Sequence, residues 1–299
     1  MLTIATIPKP FRGHIGVIQR NAIQSWTLLR PKPQILLFAD EQGTSEIARD
    51  LNLSYFPNVT RNEFGTPLLS DVMALLADHA TNDLLCYINA DILLTVDFTR
   101  AVAAIHQKLA RFLIVSSRIN VDLSEPINFD ADWETDLRRN VLPRGVLASH
   151  TYIDVFVFPK GIYTKVPHFA IGRPWFDHWF IRTARKARLP IVDLTPSSPI
   201  IHQNHDYGHV MGGVDGIWRS RETEQNLKLY GKVLHDYTLA DATHELLPDG
   251  QIVKRISPKR PHSLRYWFWE VFIQNTLSLR QRFGLRRQSF RGLAARWRR

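Results

Sequence analysis

The sequence predicts an α/β fold in which helices cover both faces of a mostly parallel β-sheet. Short apolar runs of strand length alternate with segments of helical periodicity through residues 1–116. The connections between these segments are short, as in repeated strand–helix units. The 299 residues suffice for one large domain, or for one domain with a small appendage.

The first half of the chain contains the regular elements. Apolar runs predict strands over residues 2–7, 34–39, 53–56, 83–88 and 112–116. Helical periodicity predicts helices over residues 16–29, 45–51, 67–79 and 98–109. The second half is less regular: we expect a strand over 151–158, a helix over 174–188, a strand over 191–194, and loop with a short helix over 120–140.

Charge divides the chain into a nearly neutral body and a basic tail. Residues 262–299 contain nine Arg, no Lys and one Glu, whereas the rest of the chain carries a net charge of +2. We therefore predict a domain over 1–261 and a basic, aromatic extension over 262–299. The near neutrality of the body argues against nucleic acid as its partner.

Aromatic residues, Leu and Arg alternate in the tail, a composition that favours amphipathic helices lying on an anionic membrane surface. A partly disordered basic extension and a nucleic-acid-binding arm are the alternatives for this segment.

The remaining composition limits the cellular context. The single cysteine, Cys86, excludes an internal disulfide framework and a cysteine-rich zinc site, and its apolar neighbours predict a core position. The N-terminus lacks the pattern of a signal peptide, and no apolar run approaches the roughly 20 residues that span a bilayer. We expect a cytoplasmic protein, or one peripheral to the inner face of the membrane.

The most informative segment is the apolar run 84–94, which is interrupted by Asn89, Ala90 and Asp91. Burying a carboxylate is costly unless a cation or a hydrogen-bond donor compensates it. Asp91 is therefore expected at the carboxyl end of a strand, facing such a partner, although an Asp that only caps the next turn would also fit. Asp40 follows an earlier strand and is expected to face the same crevice.

Two later segments also carry chemically active residues. In segment 172–179, Pro174 fits the start of a helix and places Asp177 in its first turn, flanked by Trp175 and Trp179. A simple helix-start acid is the alternative for Asp177. Segment 200–209 contains three His, one Asp and one Asn, a density typical of a metal or phosphate site. We expect one of these histidines to ligate a metal.

The order of these features resembles the GT-A glycosyltransferases: an alternating N-terminal half, a strand ending in a DxD-like triplet, an acid on a later helix and a late histidine. The resemblance covers roughly residues 1–210. It implies that Asp91 binds Mn²⁺ or Mg²⁺, which bridges the phosphates of a nucleotide sugar, and that a late histidine, His202 or else His205, completes the metal site. Asn89 departs from the acid of the motif, and it could accept from a ribose hydroxyl or a metal-bound water.

The resemblance also implies substrate contacts. The nucleotide and its phosphates would contact Thr6, Pro8, Arg12, Asp40, Arg61, Asn89 and His205. Asp177 matches the general base of inverting members, with Asp154 in reserve, and Trp175 and Trp179 could stack on a sugar.

The predicted function is transfer of a sugar from a nucleotide-diphosphate donor to a glycan or lipid-linked acceptor, with inversion. A retaining enzyme, which would not need Asp177 as a base, is the alternative for the stereochemistry. A non-catalytic nucleotide- or carbohydrate-binding protein on the same scaffold is one alternative, and Asn89 is its best support. A nucleotidyltransferase is the other, although no Gly-rich phosphate loop with a Lys lies near the first strand.

Overall fold

A computed structural model describes residues 1–130, 132–205, 213–233 and 235–255, which belong to one compact unit, Met1–Ile256. The strands are β1 (Leu2–Thr6), β2 (Gln34–Phe38), β3 (Ser54–Phe56), β4 (Leu84–Ile88), β5 (Ile92–Leu93), β6 (Leu113–Ser117), β7 (Ile119–Val121), β8 (Val146–Leu147), β9 (Ile153–Pro159), β10 (Ile191–Asp193), β11 (Ile201–Gln203), β12 (His244–Leu246) and β13 (Ile252–Lys254).

The α-helices are α1 (Gly13–Thr27), α2 (Thr44–Asp50), α3 (Leu69–His79), α4 (Val96–Lys108), α5 (Trp133–Asp136), α6 (Phe176–Lys186), α7 (Gly213–Trp218) and α8 (Arg221–Tyr230). A π-helical turn (Leu137–Val141) and two 3₁₀ turns (Leu142–Arg144 and Leu239–Asp241) complete the secondary structure of the described residues.

Nine strands form the large sheet in the order β13-β12-β10-β6-β9-β4-β1-β2-β3. Strands β9 and β13 run antiparallel to their neighbours, and the other seven are parallel to one another. The predicted mostly parallel sheet is therefore confirmed. The carboxyl ends of the parallel strands meet at one edge, where ligands of such sheets bind.

Four short strands form a second, small sheet in the order β5-β11-β7-β8. Its β5 follows the Asn89–Asp91 turn directly and pairs antiparallel with β11, so that His202 faces Ile92 in the register. Two strands of only two and three residues thus join segments more than 100 positions apart in the sequence.

The core fills both faces of the large sheet, which explains why its strands are continuous apolar runs. In β4, Cys86 and its alternate neighbours pack with α1, whereas Leu85 and Tyr87 pack with α3 and α6. Cys86 is fully buried, as predicted. Helices on both faces are confirmed as well.

The five predicted helices begin one to three residues away from their predicted starts. Helix α1 begins at Gly13, three residues early. Helix α3 begins at Leu69 because Pro67 and Leu68 form isolated β-bridges with Arg61 and Ala170. Helix α6 begins at Phe176, after a backbone reversal at Trp175.

None of the helices in the described part of the chain has the length and apolar character needed to cross a membrane. The predicted extension over residues 262–299 lies outside the described residues, as do Asp206 and His209 of the histidine-rich segment.

Candidate functional site

The turn that carries Asp91 connects β4 to β5 and is fixed by hydrogen bonds. The Asn89 amide N–H donates to the Asp154 carbonyl of β9 at 3.0 Å. Gln203 Nε2 donates to the Asp91 carbonyl at 3.2 Å and to the Ile18 carbonyl of α1 at 2.7 Å. The short β5–β11 pairing and this buried amide therefore set the Asp91 backbone beside His202.

Asp91, His202 and His205 form a compact cluster, with one ligand atom of each within 4.8 Å of the others. Asp91 Oδ2 lies 3.3 Å from His205 Nε2 and 3.8 Å from His202 Nε2. Lys9 Nζ lies 3.5 Å from His205 Nε2. The sequence predicted one histidine beside Asp91, whereas the structure places two histidines close to it.

The charges in this cluster support ionised Asp91 and neutral His202. Burial opposes ionisation of Asp91, but the His205 hydrogen bond and the nearby positive charge of Lys9 help to hold the pKa of the carboxyl well below its ordinary value. Burial lowers the pKa of His202, and Arg118 adds to this effect. A neutral imidazole keeps the lone pair that a metal requires.

The cluster fits a divalent cation by its donor set. Asp91 Oδ1 and His202 Nδ1 are buried and have no hydrogen-bond partner among the described residues. Such atoms are rare in folded proteins and call for a ligand, an ion or water. Two imidazoles and a carboxylate suit transition metals such as Mn²⁺ better than Mg²⁺, which prefers oxygen ligands.

Asp154 on β9 is buried in a hydrogen-bonded ion pair. Its Oδ2 accepts from Arg118 Nη1 at 2.9 Å, and its Oδ1 accepts from Asn89 Nδ2 at 2.5 Å. Both oxygens are thus engaged, which leaves Asp154 poorly suited to the role of reserve base. Asn89 uses one of its two side-chain N–H groups for this bond to Asp154.

Asp177 lies in the first turn of α6, as predicted. Its Oδ1 is buried and finds no partner in the described part of the chain, while its Oδ2 lies 3.8 Å from His178 Nε2. Burial raises the pKa of the Asp177 carboxyl, and the Asp154 charge raises it further against the opposing effect of His178. A raised pKa makes the carboxylate a stronger proton acceptor, which suits a general base.

Asp154 connects the two halves of the site. Its charge acts on Asp177 and also on His202. The Asp91 cluster and the start of α6 therefore border one polar region at the carboxyl ends of β4 and β6.

The two predicted stacking residues have different environments. Trp175 is half-buried, and its indole ring stacks on Tyr230 at 5.5 Å. Trp179 is only 9% exposed and packs between Tyr163, Phe169 and Phe180. The predicted sugar-stacking role of Trp179 is therefore wrong: the apolar face of α6 turns this ring into the core.

The predicted nucleotide contacts surround the carboxyl ends of β1 and β2. Thr6 is buried, and its hydroxyl lacks a partner within the described ranges. Pro8 is buried, and Arg12 is exposed with its Nε donating to Gln42 Oε1 at 2.5 Å. Arg61 Nη2 forms ion pairs with Asp40 at 2.7 Å and Glu41 at 3.0 Å. The charges of Asp40 and Arg61 are thus paired with each other.

Two site residues were missed by the sequence analysis, Lys9 and Arg118. Arg118 directly follows the buried strand β6, and Lys9 stands three residues after β1. A charged residue just beyond the carboxyl end of an apolar run is the signal that could have identified both, as it identified Asp91 and Asp40.

Comparisons with known proteins support the fold. No protein-family model and no curated protein match the sequence. The structure of TarS residues 1–349 from S. aureus, in complex with UDP-GlcNAc, superimposes with a TM-score of 0.50 at 10% identity, over 77% of this chain and 65% of that one. The match therefore spans less than two thirds of the TarS chain.

Weaker matches are a mannosyltransferase from Pyrobaculum calidifontis with GDP-Man and Mn²⁺ (TM-score 0.41, 15% identity, 69% and 58% coverage) and glucosyl-3-phosphoglycerate synthase from Mycobacterium tuberculosis with Mn²⁺ and UDP (0.42, 11%, 69% and 71%). The TarS match confirms the predicted GT-A-like fold.

Proposed function

We propose that this protein is a metal-dependent glycosyltransferase that uses a nucleotide-diphosphate sugar and inverts the configuration of the transferred sugar. The observation that carries the proposal is the Asp91–His202–His205 cluster at the carboxyl ends of the parallel strands. The TarS structure, which has this fold, is a complex with UDP-GlcNAc.

Asp91, His202 and His205 would hold the cation. When bound, a divalent cation neutralises the charge that develops on a departing diphosphate. Lys9, beside His205, adds a positive charge on the same side. The nitrogen-rich donor set favours Mn²⁺ over Mg²⁺.

Asp177 would act as the base. Its carboxylate accepts the proton of the acceptor hydroxyl as that oxygen bonds to the anomeric carbon and the carbon–oxygen bond to the diphosphate breaks. The half-buried Trp175 next to it offers an aromatic ring to an acceptor glycan. A glycan or a lipid-linked sugar supplies a hydroxyl of this kind.

Asp91→Ala tests the metal site. At a nucleoside diphosphate concentration about 100-fold above Kd, binding stabilises a native protein by roughly 2.7 kcal/mol. We expect UDP or GDP with Mn²⁺ to raise the Tm of the wild-type protein and not that of Asp91→Ala, and we expect transfer to be lost.

Asp50→Ala is the control, because Asp50 forms an exposed ion pair with Arg20 on the surface. An Asp91→Ala protein that keeps both the Mn²⁺-dependent shift and transfer would refute the assigned role. Release of pyrophosphate from a nucleoside triphosphate would favour a nucleotidyltransferase instead.

A further inference from the structure

One face of helix α8 contacts the segment that leads into α6. Glu222, Asn226 and Tyr230 follow each other at four-residue intervals, so they lie on the same side of the helix. All three are buried, at 5%, 1% and 1% exposure. Each contacts a different part of the chain between Ala170 and Trp175.

Asn226 makes the central contacts of this face. Its Nδ2 donates to the carbonyls of Ala170 and Pro174, both at 3.0 Å, and its Oδ1 accepts from the Ala170 N–H at 2.8 Å. One buried side-chain amide thus satisfies both ends of the turn. An unpaired buried carbonyl is costly, so these bonds strongly favour this backbone.

The flanking residues hold the same turn from either side. Glu222 Oε2 accepts from Arg173 Nε at 2.8 Å, and the Tyr230 ring stacks on Trp175 with an interplanar angle of 24°. Ser220 caps the helix by accepting from the Thr223 N–H at 3.1 Å, which fixes where this face begins.

The turn itself is strained. Trp175 has φ of +92°, a region that a bulky residue rarely adopts. Such conformations are unfavourable and persist only where surrounding contacts enforce them. The helix that starts immediately after Trp175 carries Asp177. Trp175 Nε1 and Asp177 Oδ1 are both buried and without partners among the described residues.

We propose that Asn226 is a positioning residue of the transferase, which holds the strained Trp175 turn so that the Asp177 carboxylate faces the acceptor. This inference rests on the proposed function and deepens it. It assigns to Asn226 a role in turnover rather than in nucleotide binding, because this side chain bonds to the turn before α6, whereas Glu222 on the same face also accepts from Asn62 Nδ2 at 2.8 Å.

Asn226→Ala and Asn226→Asp test the proposal. The Asn226→Asp side chain keeps an oxygen that can accept from the Ala170 N–H, but it cannot donate to the Ala170 and Pro174 carbonyls. The kcat of this variant tests the proposal if Asn226→Ala does not fold. A displacement near 1 Å can cost about 100-fold in rate, so we expect kcat to fall about 10- to 100-fold. The donor KM and the nucleotide-induced Tm shift should stay within about two-fold of wild type, as expected for a mutation that leaves ground-state binding intact.

Asn82→Ala is the matched control. Asn82 Nδ2 also binds backbone, at the Leu2 carbonyl (3.2 Å), but at the opposite end of β1 from the site. This variant should keep wild-type kcat. In the Asp177→Asn background, Asn226→Ala should cause no further loss of kcat, because residues that act as one unit are not additive.

An unchanged kcat in folded Asn226 variants, a parallel loss of nucleotide binding, or an additive loss in the double variant would overturn the positioning role. If the wild-type protein shows no transfer, the proposed function fails and this inference with it. If the wild type turns over and Asp177→Asn does not, a negative result with Asn226 concerns the inference alone.

Discussion

Three carboxylates of the candidate site lie in three different environments, with Asp91 and Asp154 buried and Asp177 partly exposed. Asp91 has His205 and Lys9 close to its carboxylate, and Asp154 forms an ion pair with Arg118. Asp177 Oδ2 lies 3.8 Å from His178 Nε2, and burial raises the pKa of its carboxyl against the opposing effect of His178. This difference supports the proposed roles, because a compensated carboxylate suits a cation or the fold, whereas a carboxylate with a raised pKa suits proton transfer.

Asp177→Asn tests this distinction. Removing a general base costs about 10²- to 10⁴-fold in rate, so we expect turnover to fall by that factor while nucleotide binding persists. Because the folded state raises the Asp177 pKa, the wild-type protein loses stability as the pH rises from the unfolded carboxyl pKa through the folded one. The Asn variant has no such loss, so its Tm advantage should grow over that window.

Turnover and Tm measured between pH 4 and 8 check this prediction together. The wild-type rate should fall as the pH drops through the raised pKa. A variant that keeps turnover, or that loses stability relative to wild type as the pH rises, would assign Asp177 a different role.

At the scale of elements, the metal cluster depends on the pairing of β5 with β11. These strands are too short to recognise as strands in the sequence. Gln203, which is fully buried, ties them to α1 through Ile18 and Asn21. The positions of Asp91 and His202 therefore follow from a tertiary pairing rather than from their local sequence.

Gln203→Leu should disturb this arrangement. Leucine has a similar size but cannot make the buried hydrogen bonds of Gln203. We therefore expect the free energy of unfolding to fall by about 1–3 kcal/mol. The Mn²⁺-dependent Tm shift with UDP or GDP should also shrink. Urea titration and thermal shift measure the two effects.

Gln107→Leu, on the exposed face of α4, is the control and should change stability by less than about 0.5 kcal/mol. Equal behaviour of the two variants would mean that Gln203 has no special role in holding the site.

For the whole molecule, the uneven distribution of charge is the main feature that the fold does not explain. The proposed transferase domain is nearly neutral, and the last 38 residues carry a net charge of +8. A lipid-linked acceptor would be presented at a membrane, where such a segment would keep the domain close to its substrate.

We predict that residues 262–299 bind anionic membranes. Each Arg near an anionic surface contributes about 1 kcal/mol, and salt screens this attraction. The full chain should sediment with phosphatidylglycerol vesicles, less so at high salt, and a chain ending at Pro261 should not. Phosphatidylcholine vesicles are the control, and equal sedimentation of both chains would remove the membrane role.

The sequence by itself determined the layered α/β fold, because strands buried on both faces must be apolar throughout and helices must be periodic. It also indicated Asp91, since a charge that interrupts an apolar run needs a compensating partner, and Asp177, since Pro174 predicts a helix with this acid in its first turn. The tertiary structure alone decided that His202 and His205 both reach Asp91, that Asp154 pairs with Arg118, that Trp179 is core, and that α8 holds the Trp175 turn. These contacts join residues distant in the chain, and no local propensity encodes which of them meet.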